Sequence, residues 1–257
     1  MTEKFLTTNG IKLCYDIHGA GSPLLMIHGV TDCKETYDRD LPELSKHFKV
    51  IRYDLRGHGH STLSKKQFDL KDHVEDALAL IRQLNLNDFY LYGGSLGSYI
   101  AQGVAVKIPT KIRKLILNVS AAHNPASALA ETVKNDTLPT DLTARRKWWS
   151  KHLVYDQKKL ALVEKSGFQK NNLSPAAEYR ALKSISAFDF SQELNKITCP
   201  VLITSGRFDP VNPPQKSQVI NHLLTNSQMK IFNSGHLLRL ENTAQYDQIM
   251  INFFKTA

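Results

Sequence analysis

The stretch YLYGGSLGSYIAQ, Tyr90 to Gln102, limits what this chain can fold into more than any other feature. With Asp88 and Phe89 its first half is a short aromatic and apolar run of strand character, while Leu96 to Ile108 reads as a helix. Ser95 therefore falls on a strand-to-helix turn. Three glycines crowd that turn, Gly93, Gly94 and Gly97, although glycine weakens strands and helices alike because it loses the most backbone freedom on folding. A very tight turn accounts for them. It strains the serine backbone, side chains two residues to either side would collide, and glycine at 93 and 97 removes the collision. Such a turn lifts the serine oxygen clear of a sheet and puts the Leu96 N–H at a helix start, where an anion is stabilised. A glycine-rich connecting loop is the plain alternative, and the neighbouring segments decide between the two.

Those segments alternate. IKLCYDIHG resembles an early antiparallel strand, and PLLMIHG is an apolar run ending at His28-Gly29. ETYDRDLPELSKHF reads as a helix, KVIRYDLRG as a strand, and DLKDHVEDALALIRQLN as an amphipathic helix with Val74, Ala77, Leu78 and Ile81 on one face. KIRKLILNVS follows the elbow helix as another strand. This order implies right-handed crossovers and a mostly parallel sheet, whose sites lie at the carboxyl ends of the strands. From Ala121 to Asn195 no strand is expected, and helical segments dominate: DLTARRKWWSKHLV, QKKLALVEKSGF and PAAEYRALKSISAF. The alternation resumes with CPVLITSG, PPQKSQVINHLL, SQMKIFN and TAQYDQIMINFF. The expected architecture is α/β, a mostly parallel, doubly wound sheet of about eight strands. Residues 1–120 and 196–257 form its core and residues 121–195 a helical cap insertion.

A length of 257 residues suits one such domain. Cys14, Cys33 and Cys199 are odd in number and far apart, which points to reduced thiols rather than a disulfide framework. No signal-length or membrane-length apolar segment is visible, so a soluble, cytoplasmic protein is expected, with no membrane partner. The net charge of +9 raises nucleic acid as a partner, but no long Lys/Arg block, zinc-finger spacing or RNA-recognition signature accompanies it. The charge is uneven: Asp141 to Lys183 holds ten Lys/Arg against four Asp/Glu. No set of His, Cys or carboxylates shows metal-ligand spacing, and neither metal nor cofactor is expected.

A serine nucleophile needs a base in reach and an acid to orient that base. The resumed strands offer both at their ends: Asp209 in GRFDPV after VLITS, and His236 in NSGHLL after MKIF. An oxyanion needs two N–H donors, and Val30 in HGVTD and Leu96 are the candidates. Here the chain resembles the α/β-hydrolase family over nearly its whole length, in HGVTD, YDLRGHGHS, GGSLGS, CPVLITSGRFDP and SGHLLRLEN. The resemblance implies that Asp54 to Ser61 is a structural loop, with His58 and His60 as loop residues, and that the insertion is a lid above Ser95. Ser98 after the last elbow glycine is similar to proline iminopeptidases, but those carry HGGPG where this chain has HGVTD. Serine at 95 argues against dehalogenases and epoxide hydrolases, which need a carboxylate there.

The expected function is cleavage of a small acyl ester through Ser95, His236 and Asp209, with a small-molecule substrate as partner. A lactonase or carbon–carbon bond hydrolase of the same fold is the nearby alternative. A non-catalytic ligand receptor on a hydrolase scaffold is the alternative from another class, although such receptors usually lose a member of the triad. In the insertion Trp148 and Trp149 are candidate walls of the substrate site, at most one of them facing it, since adjacent helical positions point about 100° apart. Arg145 and Arg146 are candidates to receive an anionic group on the substrate, because guanidinium pairs bidentately with carboxylate or phosphate. Neither oligomeric state nor acyl specificity is legible.

Overall fold

A computed structural model describes residues 3–124, 139–165 and 173–256. Residues 125–138 of the insertion, and the last three residues of the expected helix QKKLALVEKSGF, lie outside the described residues. Eight strands form one sheet. In chain order they are β1 (Lys4–Thr8), β2 (Ile11–His18), β3 (Ser22–Ile27), β4 (Phe48–Tyr53), β5 (Phe89–Gly94) and β6 (Ile112–Asn118), then, beyond the insertion, β9 (Val201–Gly206) and β10 (Ser227–Phe232). Their spatial order is β1-β2-β4-β3-β5-β6-β9-β10. The β1–β2 and β2–β4 pairs are antiparallel and every later pair is parallel. Central strands covered on both faces need continuous apolar sequence, and β5 and β9 are buried at every position, whereas the edge strand β10 alternates.

One apolar layer packs the helices Leu70–Gln83 and Leu96–Lys107 on one face of the sheet; a second packs the helix Thr243–Lys255 on the other. The first of these helices buries Val74, Ala77, Leu78 and Ile81, and Asp69 caps it through the N–H groups of Lys71 and Asp72. Among the described residues no helix is long and apolar enough to cross a membrane.

Two expectations need correction. ETYDRDLPELSKHF forms no continuous helix, only a 3₁₀ turn Lys34–Tyr37 and a four-residue helix Leu41–Leu44. Its polar residues turn inward: Asp38 pairs with Arg52 at 2.8 Å and Asp40 with Arg239, and Lys34, just before the segment, pairs with Asp54 at 3.0 Å. Pro42 in the first turn restarts the helix where a missing N–H costs nothing. The insertion also holds two short strands, β7 (His123–Asn124) and β8 (Phe188–Asp189), paired antiparallel. Two residues are too few to show a period of two. Within the insertion lie the helices Leu142–Leu153, Leu160–Glu164 and Pro175–Ser184. A third apolar cluster, with Trp149, Leu153, Val163 and Leu182, joins them to Leu240 of the core.

Candidate active site

The turn after β5 is as tight as its glycines require. Ser95 has φ +52° and ψ −121°, a strained setting for a side-chain-bearing residue. A Cβ at position 93 would lie 2.2 Å from the Gly97 carbonyl oxygen, and one at 97 would lie 2.1 Å from the Ile27 carbonyl oxygen at the end of β3. The first glycine thus lets strand and helix touch, and the second lets the helix meet the neighbouring strand. Gly94 has more room, its nearest contact being the Tyr92 hydroxyl at 3.3 Å. Ser98 is buried; its hydroxyl bonds the Ser95 carbonyl at 2.6 Å and the Ser120 hydroxyl at 2.7 Å, bracing the turn from below.

The ends of β9 and β10 bring two more groups to this serine. His236 Nε2 lies 2.9 Å from Ser95 Oγ, and its Nδ1 lies 2.9 and 2.8 Å from the two Asp209 carboxylate oxygens. Asp209 is buried, and its Oδ1 also accepts from the Val211 and Asn212 N–H groups at 2.8 and 2.9 Å. Those donors fix the carboxylate before it meets the imidazole. The loop of His236 is held in turn by Glu241, which accepts from the Ser234 hydroxyl at 2.8 Å, the Gly235 N–H at 2.9 Å and the Asp156 N–H of the insertion at 3.0 Å. The His236 N–H itself donates to the Leu153 carbonyl at 2.8 Å, in the last turn of an insertion helix where carbonyls lack intrahelical partners.

Beside Ser95 opens a cavity of about 60 Å³, lined by Val30, Asp32, Trp149, His236 and Arg239 among others. Val30 follows β3, and Leu96 opens the helix Leu96–Lys107, so its N–H has no carbonyl one turn earlier to bond. Val30 lines the cavity, Leu96 follows the serine directly, and among the described residues no backbone carbonyl accepts from either amide.

The four insertion residues part ways. Trp149 is buried and lines the cavity, while its indole N–H donates to Glu178 at 2.7 Å. Trp148 stacks on His152 at 3.8 Å instead. Arg145 turns inward: its Nε donates to Glu178 at 2.6 Å and the pair is almost wholly buried. Arg146 borders a separate small pocket with Arg145, Leu142 and Thr31, not the one that holds Ser95. Among the described residues the arginine that lines the serine cavity is Arg239, three residues past His236 and outside the insertion.

His58 and His60 sit in the loop after β4. His58 is buried, 3.0 Å from the Arg56 carbonyl and 5.3 Å from the His28 ring, and burial pulls it down to about 3 and His28 to about 4. His60 contacts Glu3 on the surface at 2.7 Å. The cysteines are all buried and unbridged. Among the described residues one group has metal-ligand proximity, Glu3 with Cys14 and His60, but the Lys34 ammonium already takes Glu3 at 2.8 Å.

Known proteins share this arrangement of elements. The chain is 28% identical over 251 residues to the (E)-2-((N-methylformamido)methylene)succinate hydrolase of Acinetobacter baylyi, covering 94% of each chain. It is 26% identical over 220 residues to 3-oxoadipate enol-lactonase 1 of the same organism, covering 83% of this chain and 81% of that protein. Among solved structures a hydrolase from Pseudomonas aeruginosa superposes with a TM-score of 0.88 at 23% identity, over 99% of this chain and 98% of its own. Residues 22–243 match the family model for the alpha/beta hydrolase fold, and the chain belongs to that family.

Proposed function

We propose that this chain is a serine hydrolase that cleaves small carboxylic esters through an acyl-enzyme. The observation that carries the reading is the continuous hydrogen-bonded line from Asp209 through His236 to a strained, cavity-facing Ser95. His236 Nε2 takes the hydroxyl proton as Ser95 Oγ attacks the acyl carbonyl, and Asp209 holds the opposite imidazole nitrogen and stabilises the cation that forms. The N–H groups of Val30 and Leu96 receive the charge that develops on the carbonyl oxygen. His236 then gives its proton to the departing alcohol, and a water deprotonated by the same nitrogen releases the acid. Residues 121–195 serve as the cap, with Trp149 as a wall of the acyl site.

A cyclic ester fits the same steps, its alkoxide leaving but staying tethered, and the likeness to an enol-lactonase favours including lactones. A fluorophosphonate probe tests the assignment directly. Labelling should fall on Ser95, vanish in Ser95→Ala, and accompany hydrolysis of short phenyl esters or five-membered lactones. Labelling elsewhere, or none, would sink it.

A further inference from the structure

Ester cleavage as described uses only part of the cavity beside Ser95. Val30, Leu153, Leu237 and Leu240 make much of its wall apolar, yet one end holds an acid and a cation. Asp32, two residues past Val30, lines it with one carboxylate oxygen accepting from the Cys33 N–H at 3.1 Å. Arg239 lines it too, from the segment after His236. Its guanidinium is anchored from behind by Asp40, by the Thr36 carbonyl at 2.9 Å and hydroxyl at 3.2 Å, and by the Tyr37 ring at 4.8 Å. A purely hydrocarbon occupant would strip water from these polar groups and give nothing back. The cavity thus asks for an oxygen or nitrogen at that end.

Charge decides which. Arg239 already has its anion in Asp40, and Glu35 has its cation in Lys34 at 2.6 Å. Asp247, facing Asp40 from the C-terminal helix, is pushed up to about 8 by burial and by the Asp40 charge, so it adds no second anion at neutral pH. Burial likewise pushes Asp32 up to about 7, against the pull of Arg239, the Cys33 N–H and Thr36, with Glu35 pushing the same way as burial. A carboxylate in the cavity would add an unmatched charge beside Asp32. A protonated Asp32 is a donor in need of a neutral acceptor.

We propose that Asp32 and Arg239 form a subsite for a neutral acceptor oxygen, a ketone or hydroxyl, carried on the acyl chain a few bonds from the scissile carbonyl. The substrate class rests on the hydrolase reading of Ser95, because the acyl group is what stays bonded to that serine in the cavity. At about 60 Å³, and on the order of 10–15 Å³ for each water-sized group, the cavity holds an acyl chain of roughly four to six heavy atoms.

Three phenyl esters of matched length test this: pentanoate, 4-oxopentanoate and the half-ester of butanedioic acid. The oxo ester should exceed the pentanoate in kcat/KM by about tenfold or more, since a site built to donate rejects an analogue without the acceptor. That ratio should collapse toward one in Asp32→Leu and largely survive in Asp32→Asn, whose amide still donates. A ratio near one in the unaltered protein, or one unmoved by Asp32→Leu, overturns the subsite. So does a preference for the half-ester, which would mark a carboxylate site. Because Asp32→Leu can fail to fold, binding of pentan-2-one to Ser95→Ala protein, read by saturation-transfer NMR, gives a second measure without turnover. It should weaken as pH rises through about 7, where Asp32 loses its proton, and be flat in the Ser95→Ala, Asp32→Asn double variant, which keeps His236 as it was. Pentan-2-one binding that is absent, or that keeps its pH dependence in the double variant, counts against the subsite. Inert esters with an unlabelled Ser95 count against the hydrolase reading instead.

Discussion

The sheet and the insertion place similar residues by different means. In the sheet, Ser95, Asp209 and His236 stand in loops that begin at the ends of β5, β9 and β10, so strand register fixes where each one starts. In the insertion, Trp149 is held by a buried Arg145–Glu178 pair that bridges two helices 33 residues apart in sequence. Backbone geometry leaves a mark in the sequence, because glycine must stand wherever a Cβ would collide. An ion pair leaves no such mark, since an arginine that faces inward reads the same as one that faces a ligand.

The sharpest way to break this contrast is at the sheet. Ser95→Ala should lower turnover by roughly ten-thousand- to million-fold while leaving the melting temperature within a degree or two; activity assayed beside thermal melting checks both halves. Asp209→Asn should cost on the order of ten-thousand-fold, as the imidazole is left in the wrong tautomer. At the insertion, Glu178→Gln should act on stability first. Breaking one side of a buried pair costs about 3–5 kcal/mol, and because the loss falls on the insertion, limited proteolysis there should rise well before the core melts.

Acid should separate the two regions again. His28 and His58 are buried neutral near the sheet, at about 4 and about 3, below the ordinary histidine value, so the unfolded chain binds protons that the folded one refuses. Their contribution is complete above about pH 6.5 and is lost as pH falls toward those values, at roughly 1.4 kcal/mol per proton and pH unit. Denaturant unfolding between pH 7 and 4 should show that slope, and His58→Asn should reduce it. The smallest effect belongs to the surface charge of the insertion. Lys147→Glu and Lys151→Glu should change kcat/KM by less than about twofold at physiological salt, because Lys151 is exposed and Lys147 lines no part of the serine cavity.

What was legible follows the same division. The turn at Ser95, the strand order near it and the placement of Asp209 and His236 at later strand ends could be read because each has a local signature: a glycine triplet, an apolar run, a polar residue after it. ETYDRDLPELSKHF misled because Asp38 and Asp40 look like a solvated helix face and are in fact partners of Arg52 and Arg239, residues distant in sequence. Asp32 stood in plain view inside HGVTD. Its environment came from Arg239, about two hundred positions later, and no window of sequence spans that distance.

The bond from the His236 N–H to the Leu153 carbonyl bears on how such a protein can change over time. An insertion set between two strands of a sheet invites exchange between relatives, as a cassette that alters what is bound and leaves chemistry alone. Here the cassette carries part of the scaffold of His236. A transplanted insertion has to present a carbonyl at the place of Leu153, and chain N–H groups for Glu241 at Tyr155 and Asp156, or the loop of His236 loses its supports. Recombination at residues 121 and 195 is therefore constrained from inside the insertion, and grafts that preserve the 153–156 corner should be the ones that stay active.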